Sequence, residues 1–69
     1  MYPFQAYHDV MFDIARFYLV LQEYERAADL FLRSIQTSGE HHALWFNRGV
    51  CMFELKRYTQ ARYCFFRVE

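Results

Sequence analysis

Two cysteines and three histidines are the residues of this 69-residue chain whose chemistry could support catalysis or metal binding. A cysteine thiolate beside an imidazole base can act as a nucleophile. Cysteine and histidine side chains are also common ligands of Zn²⁺. The cysteines are Cys51 and Cys64, and the histidines are His8, His41 and His42.

The spacing of these residues favours structural roles instead. A helical zinc pair needs histidines at positions i and i+4, whereas His41 and His42 are adjacent and should point to different faces of a helix. Catalysis by Cys51 would need an orienting Asn or Asp and an open pocket, but both cysteines fall at core positions of a helical pattern. We therefore expect surface or helix-capping histidines and buried cysteines, with no catalytic residue, metal or cofactor.

Apolar residues at three- and four-residue steps predict that four helices hold these side chains. Glycine and proline, which weaken helix interiors, occur only twice and once. The predicted helices cover residues 4–21, 24–37, 41–55 and 58 to the chain end. Pro3 suits the first turn of the first helix, whose apolar face consists of Phe4, Met11, Ile14, Ala15, Tyr18 and Leu21.

Short polar breaks separate the predicted helices. Gln22-Glu23 and Lys56-Arg57 interrupt the pattern in matching places, and Gly39 suits a left-handed helix cap. Breaks of two or three residues make consecutive helices antiparallel neighbours. The sequence thus predicts an all-α fold of two antiparallel helix-turn-helix units.

The two units carry the same pattern at a distance of 34 residues. The matching pairs are Ala15 with Gly49, Tyr24 with Tyr58, Ala27 with Ala61, and Phe31 with Phe65. The small residues should lie where two helices of a hairpin cross, because a small side chain lets the backbones approach, and the large residues should fill the space around the crossing. A period of 34 is typical of helical repeat arrays.

With these residues in register, the chain resembles the tetratricopeptide repeat family. The second copy matches the family pattern at Trp45, Gly49, Tyr58, Ala61 and Phe65, and the first at Met11, Ile14, Ala15, Tyr18, Tyr24, Ala27 and Phe31. The resemblance implies one tandem domain over 1–69, with repeat 1 at about 8–39 and repeat 2 at about 42–69. Because stacked repeats generally need three or more units, we expect a fragment of a longer array.

Arg48 departs from the family pattern, because it occupies a position that usually holds leucine. A buried guanidinium without a partner is costly. We therefore expect Arg48 to be partly exposed, or paired with a carboxylate on another element.

The resemblance also implies that the first helix of each repeat lines a concave groove that binds partner peptides. The groove residues by position are Asp9, Phe12, Asp13, Arg16, Leu19, Phe46, Asn47, Val50 and Phe53. Their apolar strip would accept an extended or helical segment with two or three apolar side chains. The alternative is that neighbouring helices of a longer array cover the strip.

The charge balance and hydropathy narrow the class of partner. Eight basic and eight acidic side chains cancel, which argues against binding of nucleic acid through its phosphates. The absence of an apolar run of about 18 residues argues against a membrane span. Two cysteines make no disulfide framework, so we expect an intracellular protein, cytoplasmic or nuclear.

The sequence thus predicts a protein–protein interaction scaffold within a multi-protein assembly, rather than an enzyme. The alternative is a homo-oligomer that self-associates through its C-terminal helix, where Tyr63, Phe65 and Phe66 would expose apolar surface. The first half of the chain is mildly acidic and the second mildly basic. This asymmetry reflects either solvated helix faces or weak head-to-tail association.

Overall fold

The computed structural model describes residues 9–68, which form a stack of four α-helices. The helices are α1 (Val10–Val20), α2 (Tyr24–Ser38), α3 (His42–Glu54) and α4 (Tyr58–Phe66). α1 packs on α2, α2 on α3, and α3 on α4. Within residues 9–68 there is no strand, and the prediction of an all-α fold of helical hairpins is confirmed.

The core lies where the two helices of each hairpin cross. Ala15 and Ala27 are completely buried, and Ala61 is 2% exposed. At Gly49 even a methyl group would be too large, because a Cβ atom there would lie 2.6 Å from the ring of Phe65. Large side chains surround these crossings, and Phe31, Leu44 and Met52 are buried among them.

The same turn ends the first helix of both hairpins. Gln22 and Lys56 adopt positive φ angles of 62° and 64°. The N–H of Glu23 donates to the carbonyl of Tyr18 at 2.9 Å, and that of Arg57 to the carbonyl of Met52 at 2.8 Å. This is the Schellman arrangement, which satisfies the last carbonyls of a helix. The two polar breaks are therefore confirmed as turns.

Gly39 ends α2 with a positive φ of 93°, as expected for a glycine cap, but its ψ of 170° is extended rather than left-handed helical. Its N–H still donates to the carbonyl of Ile35 at 3.0 Å. The extended ψ suits a chain that leads into His41, whose backbone is also extended.

α1 differs from the predicted helix at its start. Asp9 has an extended backbone, with φ −162° and ψ 130°, and precedes the first helical residue. The prediction of an unbroken helix over 4–21 is therefore wrong at Asp9, and Pro3 and Phe4 lie outside the described residues. The Asp9 carboxylate accepts hydrogen bonds from the hydroxyls of Ser34, which is buried, and Ser38. These bonds hold the start of α1 against α2.

The predicted apolar face of α1 is also partly wrong. Ala15 is buried, but Ile14 is 45% exposed and Leu21 53% exposed. α1 carries apolar residues on two sides, and α2 covers only one of them. Likewise Tyr58, expected to fill the space around the second crossing, is 55% exposed, because no described helix covers that side of α4.

Replacing Lys56 by glycine should stabilise the fold. A left-handed conformation costs an L-residue roughly 1–2 kcal/mol, and the greater chain entropy of unfolded glycine offsets roughly 0.5–1 kcal/mol of this. We expect Lys56→Gly to raise the free energy of unfolding by about 0.5–1 kcal/mol in urea denaturation. The control Arg33→Gly, at an exposed position in the interior of α2, should lower it by about 1 kcal/mol. A loss of stability in both variants would contradict the assignment of the turn.

Replacing Gly49 by alanine tests the crossing of α3 and α4. Overpacking against Phe65 costs about 1–3 kcal/mol, which outweighs the higher helix propensity of alanine, so we expect Gly49→Ala to destabilise by about 1 kcal/mol. In a Phe65→Ala background the same change should stabilise by about 0.8–1.0 kcal/mol, because the ring is gone. Both changes are measured by urea denaturation. Equal effects in the two backgrounds would show that the ring of Phe65 does not restrict the size of the side chain at position 49.

Candidate functional site

The adjacent histidines at the start of α3 serve the helix rather than a metal. Nδ1 of His41 accepts a hydrogen bond from the N–H of Ala43 at 3.2 Å, which caps the helix. The rings of His41 and His42 stack with centroids 4.6 Å apart, so the expectation that they point to different faces is wrong. The capping role is confirmed for His41, while His8 lies outside the described residues.

The capping bond requires Nδ1 of His41 to be unprotonated, because only then can it accept a hydrogen bond from the N–H of Ala43. Partial burial, and then the charge of His42, lower the pKa of His41 below 6.5. A neutral imidazole is the form that can accept the helix N–H. The pKa shift and the hydrogen bond therefore favour the same protonation state.

Both cysteines are buried free thiols, as the sequence predicts. Burial raises the pKa of the Cys51 thiol to about 11, although the charge of Arg48 opposes the shift. Cys51 is therefore protonated at neutral pH, and a protonated, buried thiol is a poor nucleophile. Among residues 9–68, no three His, Cys, Asp or Glu side chains lie where they could share a metal ion.

Arg48 links three helices. Its Nε donates to the backbone carbonyl of Ala28 on α2 at 3.3 Å, and a terminal nitrogen contacts Sγ of Cys64 on α4 at 3.7 Å. The side chain is half-buried, as one of the two expectations stated. The expected carboxylate partner is wrong, because a carbonyl and a sulfur atom receive these contacts.

The part of the expected groove on α3 forms an exposed apolar strip. Phe46 and Phe53 are 51% and 53% exposed, and Val50 lies between them, half-buried. The Phe46 ring rests on Phe65, with centroids 5.8 Å apart. Asn47 is half-buried, and its amide donates to the carbonyl of Ala43 at 2.7 Å within the same helix.

The part of the expected groove on α1 is more enclosed. Phe12 is only 7% exposed, with its ring against Phe31 at 5.9 Å. Leu19 is half-buried, and the exposed Arg16 lies over the Phe12 ring at 5.8 Å. The exposed surface of α1 on this side is therefore mostly charged, whereas that of α3 is aromatic.

The C-terminal helix exposes the residues expected at a self-association face. Phe66 is 84% exposed, Tyr63 54% and Phe65 37%. Thr59, Arg62, Tyr63 and Phe66 line an open hollow of about 390 Å³ on the outer side of α4. Tyr63 also packs edge-on against Trp45 with centroids 5.8 Å apart, so part of its ring serves the contact with α3.

An apolar stripe on the outer side of α1 was missed by the sequence analysis. It consists of Val10, Ile14, Phe17 and Leu21, which are 75%, 45%, 61% and 53% exposed. The 34-residue repeat could have identified this stripe as a helix-packing surface. The equivalent residues 34 positions later are Leu44, Arg48, Cys51 and Leu55. Leu44 and Cys51 are completely buried, and Leu55 is half-buried.

The fold and these surfaces define a class of protein: an all-α chain of two helical hairpins, repeated at 34 residues, with exposed apolar strips. No family model and no solved structure matches the chain. None of the helices in the described range is long and apolar enough to cross a membrane.

Two curated proteins are similar to this chain. It is 34% identical over 56 residues to the transcription factor tau subunit sfc4 of Schizosaccharomyces pombe, a match that covers 80% of this chain and 6% of that protein. It is 37% identical over 43 residues to an uncharacterized protein of Methanocaldococcus jannaschii, covering 62% of this chain and 50% of that protein. The chain thus matches half or less of the length of each relative.

The cap on α3 should make stability depend on pH. Because the pKa of His41 is lower in the folded state, the unfolded chain takes up the proton more readily, and stability is lost as the pH falls below 6.5. We expect the free energy of unfolding to fall between about pH 7.5 and pH 5.5. In His41→Asn, which keeps a capping acceptor, this slope should be reduced. Unfolding is monitored by circular dichroism at each pH. The same pH dependence of the free energy of unfolding in both proteins would exclude His41 as its source.

Proposed function

We propose that the chain is a pair of tetratricopeptide-like hairpins that acts as a protein–protein interaction scaffold without catalytic activity. Three repeated features support the repeat assignment. The ring pairs Phe12–Phe31 and Phe46–Phe65 have centroid distances of 5.9 and 5.8 Å. The two hairpin turns have the same hydrogen bonds, and small residues are buried at both crossings.

The observation that carries the proposed function is the exposed aromatic strip on α3. Phe46, Val50 and Phe53 follow one another at four- and three-residue steps, so they lie on one face of the helix. Exposed apolar strips of this kind are typical of binding surfaces. A partner segment with two or three apolar side chains would bury the Phe46 and Phe53 rings, which are half-exposed in this chain.

The similarity to a transcription factor subunit supports a place for this chain in a multi-subunit assembly inside the cell, in the cytoplasm or nucleus. The partner is a protein or peptide rather than nucleic acid or membrane. Arg48 of α3 is directed to Ala28 and Cys64 rather than along the exposed rings, and stacking on single-stranded nucleic acid needs a basic groove beside the rings. The equal numbers of acidic and basic side chains agree with this choice.

A second candidate is self-association through α4, favoured by the exposure of Tyr63, Phe65 and Phe66. This surface lies on a different helix from the strip on α3. Substitutions can therefore separate the two functions.

Peptide binding tests the strip on α3. We would select peptides from a display library on the immobilised chain and measure their affinity by calorimetry. The double variant Phe46→Ser/Phe53→Ser should weaken binding on the order of 30-fold, since truncating two aromatic anchors removes about 2 kcal/mol or more. The matched control Phe66→Ser should bind as tightly as the parent. Equal peptide affinities of the double variant and of the Phe66→Ser control would contradict the proposed site.

A further inference from the structure

We propose that two copies of this chain associate head to tail, with the outer side of α4 of one copy packed on the stripe Val10, Ile14, Phe17 and Leu21 of the next. This inference deepens the second candidate function, on which it rests. The proposed contact joins α4 of one copy to α1 of another, whereas self-association through α4 alone would pair two α4 helices.

The contact between α2 and α3 within the chain is the template. There, α3 presents Leu44 and Cys51, both completely buried. α1 presents Val10 and Phe17 at the matching positions, both exposed. The stripe on α1 is therefore equivalent to the surface that α3 turns towards α2, and no helix within residues 9–68 covers it.

α4 is the counterpart of α2 in the same comparison. Ala28 and Phe31 of α2 are 3% and 0% exposed, and Leu32 is half-buried. Their counterparts 34 residues later are Arg62, Phe65 and Phe66, all of them exposed. Hence the chain carries both halves of an α2–α3 type of contact, one on α4 and the other on α1.

The shapes of the two surfaces are compatible. Arg48 of α3 reaches the carbonyl of Ala28 on α2, so the same packing brings Ile14 of one copy to Arg62 of the other. Phe17 is one turn further along α1. The hollow of about 390 Å³ lined by Thr59, Arg62, Tyr63 and Phe66 has an apolar floor that can accept its ring.

The charges on the two surfaces are complementary. In the chain, Arg57 forms an ion pair with Glu25 across the stack. The matching positions place Glu23 of one copy beside Thr59 of the other, one helical turn from Arg62. Asp13 on α1 and Glu23 in the following turn lie beside the stripe, while Arg62 lies on the opposing surface. Opposite charges at the rim favour this orientation over a pairing of two α4 helices, which would bring Arg62 against Arg62.

Because the two surfaces differ, the association is heterologous and does not close at two copies. In sedimentation velocity, the parent chain should form species larger than a dimer as its concentration rises to about 1 mM, where even weak complexes form. A monomer throughout this range would overturn the proposal.

A complementation experiment identifies the surfaces. Phe17→Asp removes the stripe on α1 and leaves α4 intact, whereas Phe66→Asp does the opposite. Each variant alone should sediment as a monomer, and an equimolar mixture should form a heterodimer and nothing larger. Loss of assembly in Phe66→Asp but not in Phe17→Asp, or no recovery on mixing, would overturn the proposal. The circular dichroism of each variant should match that of the parent, because both residues are exposed.

Charge exchange provides a second measurement that leaves the apolar residues unchanged. In the Phe17→Asp chain, we expect Arg62→Glu to weaken the heterodimer with Phe66→Asp by on the order of tenfold, and Glu23→Arg in the second chain to recover affinity. Unchanged affinity in both cases would contradict the proposed orientation. The control Phe53→Asp, on the strip of α3, should leave assembly intact, so failure of the groove proposal and failure of this one remain distinguishable.

Discussion

The close crossing of the two helices in each hairpin is the constraint on which the rest of the structure depends. Gly49 has no side chain, and the ring of Phe65 occupies the place that a Cβ atom would need. In the first hairpin the buried Ala15 holds the matching position. Small residues at the crossings leave room for large rings from the facing helix, and the ring of Phe65 lies directly against Gly49. One of these rings in each hairpin supports the side chain at the groove position, Phe12 or Phe46.

A hairpin built in this way cannot bury all of its apolar surface by itself. Each helix has one side for its hairpin partner and another for the adjacent hairpin. In the described residues the inner helices α2 and α3 have both sides covered, whereas α1 and α4 each have one side open. This explains why matched residues differ in exposure: Phe31 is completely buried and Phe65 is 37% exposed. The open sides therefore follow from position in the stack rather than from residue type.

The sequence was sufficient for the helix number, the turns, the buried cysteines and the crossings, because these depend on local spacing and side-chain size. It was less informative about the surfaces. Ile14 and Leu21 belong to an apolar face by periodicity, but a periodic pattern does not say which of two apolar faces a neighbour covers. Phe12 and Phe46 are equivalent in the repeat, yet one is 7% and the other 51% exposed. The backbone of Asp9 also departs from the helix, since its carboxylate bonds to serines that are 25 and 29 residues away.

The sequence by itself determined the 34-residue repeat, the all-α architecture and the residues at each crossing, since spacing and size act through the chain's own local geometry. Only the tertiary structure decided the partners of Arg48, the stacking of the two adjacent histidines, and the exposure of each apolar strip. The physical reason is that burial and hydrogen bonding depend on which helix lies beside each face. The contact of Arg48 with the carbonyl of Ala28 illustrates this, because no side-chain pattern identifies a backbone acceptor 20 residues away on another helix.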